Sequence, residues 1–154
     1  MIEIKNQQKA LPIPRTQTAR IKGIVQKIFR HEGVRLSRVL LSIVFVTDAQ
    51  IKSLNIKFLN RFYATDVLAF DLSHEALSRS RRKRIKRIEG EIVISTPAVI
   101  KNAKIFKTSP SRELALYVVH GILHLLGYDD HRPLDIKRMR AKEEELMKLV
   151  ETVQ

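Results

Sequence analysis

Three of the five histidines in this 154-residue chain, His120, His124 and His131, fall within twelve residues. His120 and His124 are four apart. On a helix that spacing stacks both imidazoles on one face, one turn apart. Two neutral imidazoles so placed can bind one divalent cation. Gly127 is expected to stop the helix, where a left-handed residue turns the chain back. The turn beyond it then brings His131 within reach as a third ligand. Three protein ligands and one open position are the form of a catalytic zinc site. The open position holds a water whose pKa the metal lowers to about 7. The opposing reading is a pair of buried, hydrogen-bonded core histidines.

The residue after the first histidine is Gly121. Helical zinc proteases carry a glutamate there as general base, so proteolysis lacks its base. A glycine inside a helix costs about 1 kcal/mol relative to alanine, which points to a close approach by a neighbouring element or a ligand. Glu113 and Tyr117 lie on the same helix face. Glu113 is either an acceptor for a histidine N–H or an acid well placed in the first helical turn; the second reading is preferred.

The elements that must position these residues follow from periodicity. Residues 1–5 alternate like a strand. Pro12 and Pro14 precede a helix in which Ile21, Ile24, Val25, Ile28 and Phe29 form one apolar face, with Gly33 as its stop. Residues 39–46 read as a strand buried on both faces. Asp48 is placed to cap a helix of about ten residues. Residues 66–72 and 91–95 read as short strands. Thr96-Pro97 and Ser109-Pro110 each set a cap before a proline in the first helical turn. The histidine helix runs from about Pro110 to Leu126. A last helix follows Pro133, with Ile136, Met139, Leu146, Leu149 and Val150 as apolar positions. Interleaved strands and helices without repeats predict one layered α/β (α+β) domain over residues 1–154, with a sheet of about four strands.

Composition narrows the function. There is no cysteine, which excludes a disulfide scaffold, a thiol nucleophile and cysteine-ligated zinc. No secretory signal opens the chain, and no apolar run approaches the ~20 residues of a membrane span, so a cytoplasmic protein with no membrane partner is expected. Lys+Arg number 29 against 16 Asp+Glu, a formal charge of +13. Such a field attracts polyanions. The densest run, residues 79–87, is basic at seven of nine positions. Arg79, Arg81, Arg82, Lys83 and Arg84 are therefore the candidate RNA-contacting residues, against the plainer reading of a solvated surface. Aromatics are sparse, at 6% with no tryptophan, so no base-stacking platform is evident.

The segment His120-Gly-Ile-Leu-His124-Leu-Leu-Gly-Tyr-Asp-Asp-His131 resembles the signature H-G-x-L-H-L-x-G-Y-D-H of the YbeY family, bacterial endoribonucleases of rRNA processing. Thr65-Asp66-Val67-Leu68-Ala69-Phe70 is similar to the family's T-D-V-L-S-F, and Gly90-Glu91-Ile92-Val93-Ile94-Ser95 to its G-D-I-V-I-S. Order and spacing agree from about residue 40 onward. The resemblance implies a small mixed sheet packed with about five helices and one zinc ion on the motif histidines. It further implies cleavage of single-stranded RNA, with rRNA precursor (its small-subunit 3′ end included) and the small ribosomal subunit as partners, and a part in ribosome quality control.

Two departures from the family pattern bear on the site. The family sets its third histidine directly after Tyr-Asp, whereas here Tyr128-Asp129 is followed by Asp130 and then His131. Either the loop absorbs one residue and His131 ligates, or Asp130 is the third ligand. His131 is preferred, because loops tolerate insertions well. The family's L-N-x-x-Y-R stretch aligns with Leu54–Leu59, which puts Leu59 at the arginine position. Arg61, two residues later, is expected to take the arginine's catalytic role.

Two rivals fit the same residues. A ribosome-associated factor that binds RNA without cutting would explain the charge. A metallohydrolase of another substrate class would explain the histidines.

Overall fold

The computed structural model describes residues 1–60, 65–73 and 87–153. Arg61, Arg79, Arg81, Arg82, Lys83 and Arg84 lie outside them. Four strands, β1 (Ile2–Asn6), β2 (Val39–Val46), β3 (Val67–Asp71) and β4 (Ile88–Ser95), form one sheet in the order β1-β2-β4-β3. β1 and β4 run parallel to β2, and β3 runs antiparallel to β4, with Val67 opposite Ile94 and Ala69 opposite Ile92. The sheet is therefore mixed, as expected, with β3 as an edge. Five helices accompany it among the described residues: α1 (Arg15–His31), α2 (Asp48–Leu59), α3 (Thr96–Ile105), α4 (Pro110–Leu125) and α5 (Pro133–Val150).

Alternation along the strands divides the core in two. Leu41, Ile43 and Phe45 of β2 and Ile92 and Ile94 of β4 face one way, into the larger core. There they meet the buried faces of α1, α4 and α5. Ile21, Ile24, Val25, Ile28 and Phe29 of α1 are fully buried, as their spacing predicts. Val44, Val46, Leu68 and Val93 face the other way, onto Ile51 of α2. α4 is the central helix: Leu114, Val118, Val119, Ile122 and Leu123 are buried along it.

Three local expectations are corrected. Asp48 is not the cap of α2. Thr47 is, in a reciprocal capping box with Gln50, while Asp48 accepts a hydrogen bond from Ser95 Oγ at 2.6 Å. Ser95 rather than Thr96 caps α3. Pro97 still falls in the first turn, where its missing N–H costs nothing, and Thr96 Oγ1 is free to donate to Gln8 Oε1 at 2.8 Å. β4 begins at Ile88, three residues before the expected start. Glu89 and Gly90 are poor strand formers, but β2 pairs with them from Val39↔Ile88 onward, and tertiary pairing overrides local preference.

Candidate metal centre

The site is built on the last turns of α4 and the loop behind them. Ser109 caps the helix, its Oγ accepting from Arg112 N–H at 3.1 Å. At the other end Gly127, with φ at 93°, reverses the chain. Gly127 N–H donates to the His124 carbonyl (3.0 Å) and Tyr128 N–H to the Leu123 carbonyl (3.0 Å). Those two bonds form a Schellman motif, which sends the Asp129-Asp130-His131 loop back past the histidines. Gly121 is explained by packing: a Cβ there would stand 2.7 Å from Cγ2 of Ile92. The close approach is thus by β4, and it seats α4 low on the sheet.

His120 and His124 share one helix face, and their Nε2 atoms lie 3.1 Å apart. Asp130 Oδ2 completes the group, 3.9 Å from His120 Nε2 and 3.6 Å from His124 Nε2. A tetrahedral zinc with bonds of about 2.0–2.1 Å would separate its ligand atoms by roughly 3.3 Å. The three atoms therefore already lie near the triangle such an ion needs, and the donor set of two imidazoles and one carboxylate suits it. His131 does not join this group. Its ring is largely exposed and pairs with Asp129, Nε2 to Oδ1 at 3.4 Å. With Asp129 and Asp130 it makes a second, exposed cluster that shares Asp130 with the first. Asp129 Oδ1 also accepts from Asp130 N–H at 2.8 Å, which fixes the loop that presents Asp130.

Electrostatics favour the ligand form of His124. Burial, and next its neighbour His120, hold its pKa below the ordinary histidine value, while Asp130, a backbone hydrogen bond to Tyr128, and Asp129 oppose the shift. A neutral imidazole is what a metal requires. On its far side His120 Nδ1 is hydrogen-bonded with Glu143 Oε1 of α5.

One turn earlier on the same face, Tyr117 is buried and meets Asn102, whose Nδ2 also donates to Asp66 Oδ2 at 3.1 Å. Burial is the main cause that pushes the Tyr117 phenol up to about 12, so it stays protonated at neutral pH. Asp66 accordingly ties the start of β3 to α3. Glu113 is buried and accepts from Thr108 Oγ1 at 2.6 Å, so the plainer reading of Glu113 stands and the histidine-supporting carboxylate is Glu143. Sequence inspection passed over Glu143, though a signal was present. It lies four residues after Met139 and three before Leu146, both buried, so an acid occupies the inward stripe of α5.

A family model described as Endoribonuclease YbeY matches residues 3–151. The chain belongs to the YbeY endoribonuclease family. Two relatives that bear the same description come from Salinibacter ruber and Syntrophus aciditrophicus. The first is 35% identical over 130 residues, which is 84% of this chain and 81% of its own length. The second is 34% identical over 151 residues, 97% of this chain and 89% of its own length. The fold is also that of a Thermotoga maritima protein solved in solution, with a TM-score of 0.65 and 29% identity over 97% of this chain and 89% of that one. Endonucleolytic hydrolysis of RNA is the activity that names the YbeY family, and the expected fold and membership both hold. Among the described residues, no helix is long and apolar enough to cross a membrane.

Proposed function

We propose that this chain is a zinc-dependent endoribonuclease that cuts single-stranded RNA during maturation of ribosomal RNA, working in the cytoplasm on small-subunit precursor. The observation that carries the reading is the convergence of His120 Nε2, His124 Nε2 and Asp130 Oδ2 on one point within a chain of this family. Asp130 is taken as the third ligand in place of His131, because its carboxylate stands by both helix imidazoles.

A divalent ion held there would activate water and polarise a phosphate oxygen. The protein's own residues do the rest. His124, which burial favours in its neutral form, and His120 would hold the ion through their Nε2 atoms. The Asp130 carboxylate would offset one unit of its charge. Arg61 is assigned to the charge that builds on the phosphate in the transition state. Arg79, Arg81, Arg82, Lys83 and Arg84 are assigned to gathering and aligning the RNA backbone.

The test is cleavage of end-labelled single-stranded RNA by native protein and His124→Ala, purified side by side. Loss of cleavage in the variant supports the reading. Equal cleavage by both removes the histidines from the chemistry, and cleavage by neither favours an RNA-binding factor.

A further inference from the structure

We propose that Glu143 is a positioning residue of the metal centre: its hydrogen bond to Nδ1 of His120 fixes the tautomer and direction of that ring, so that Nε2 faces His124 and Asp130. This rests on the metal reading above. Glu143 lies on α5, a helix that packs against α4. Its neighbours Glu144 and Glu145 are exposed, whereas Glu143 turns inward with its side chain only 21% exposed. Glu145 pairs at the surface with His31 (2.8 Å) and Lys142 (3.1 Å). Among the described residues, Glu143 has no lysine or arginine within ion-pair distance, and His120 is its partner. An acid on the apolar stripe of a helix is costly unless its charge is met.

The chemistry of the pair dictates the tautomer. A carboxylate in its ionised form only accepts hydrogen bonds, and Nδ1 of His120, the ring atom that meets Glu143 Oε1, is then the one that carries the proton. Nε2 is then a bare lone pair, and it is the nitrogen that stands 3.1 Å from His124 Nε2. Carboxylates on the far nitrogen of metal-bound histidines fix ring orientation and raise ligand basicity, and their loss costs about 10–100-fold in metal affinity. Because Glu143 comes from α5, the ligand geometry on α4 depends on how the two helices dock.

Two variants and two measurements test this. Glu143→Leu removes the acceptor and suits the apolar stripe. Glu143→Gln keeps an acceptor and removes the charge. Ring ¹⁵N shifts of His120 in zinc-stripped protein report the tautomer, and competition with a chromophoric chelator reports zinc affinity. Glu144→Gln, on the exposed face, is the control. The expected result is an Nδ1–H ring in the native protein and in Glu143→Gln, and loss of that preference in Glu143→Leu. Zinc affinity should fall about 10–100-fold in Glu143→Leu and less in Glu143→Gln. A folded Glu143→Leu with an unchanged His120 tautomer and unchanged zinc affinity overturns the proposal. Should Glu143→Leu fail to fold, Glu143→Gln decides alone, and zinc affinity equal to the control's overturns it. A tautomer that shifts in Glu143→Leu while the native protein binds no zinc would sink the metal reading and leave the Glu143–His120 coupling intact.

Discussion

The ring of His124 stands edge-on to that of His120, with centroids 4.7 Å apart and planes inclined at 79°. Two rings in this arrangement do not stack. They aim their Nε2 atoms into the same space, which Asp130 closes from the loop. Helical spacing supplies the shared face and its two nitrogens, and the Gly127 reversal supplies the one oxygen of the group.

His124→Ala should remove nearly all bound zinc, since it leaves one imidazole and one exposed carboxylate. Elemental analysis of purified protein checks this. Metal content equal to that of the native chain would contradict the ligand assignment.

Asp130 and His131 should behave differently. Asp130→Ala is expected to weaken zinc by more than about tenfold, the scale of losing even an outer partner of a ligand. His131→Ala should change affinity little, because its ring faces solvent beside Asp129. Chelator competition on both variants measures the difference, and the reverse order would restore His131 as the ligand.

Gly121→Ala should destabilise the fold, by up to about 2 kcal/mol. The helix gains about 1 kcal/mol in propensity, but overpacking a core costs about 1–3 kcal/mol or somewhat more. Ile92 is fully buried on a central strand, so it has little room to give. Urea unfolding checks the sign. A stabilised variant would mean that α4 shifts freely on β4, and with it the two histidines.

Arg61→Ala should lower the cleavage rate more than RNA affinity if the guanidinium acts on the transition state. Single-turnover rates and filter binding on the same RNA separate the two. Equal losses would make Arg61 a plain phosphate contact. Affinity itself should fall with salt, with a slope of about −0.7 per neutralised phosphate for a single strand, and binding indifferent to salt would remove the basic run from the interface.

Much of this was legible in the residues, for physical reasons. The face of α1 was readable because burial repeats at the helical period, and β2 because a doubly covered strand is almost wholly apolar, Ser42 aside. His120 and His124 were readable because helical spacing is rigid. Which loop side chain turns towards that pair was not, because sequence order does not say which way a loop side chain points; Asp129 Oδ1, accepting from Asp130 N–H, helps set the loop's conformation. Gly121 flagged a close approach but could not name Ile92, which lies across the sheet contact. Ser95 displaced Thr96 as the cap because two adjacent hydroxyls compete, and Thr96 finds Gln8 from a distant segment. Glu143 was overlooked for a related reason: its partner is 23 residues away on another helix.

The most direct test of the central claim is a titration of zinc into metal-stripped native protein, following bound metal and cleavage of end-labelled single-stranded RNA together. Cleavage should be absent at the start, rise in step with occupancy and level off at one ion per chain. Full cleavage by the stripped protein, or one bound zinc with no gain in cleavage, would contradict the account.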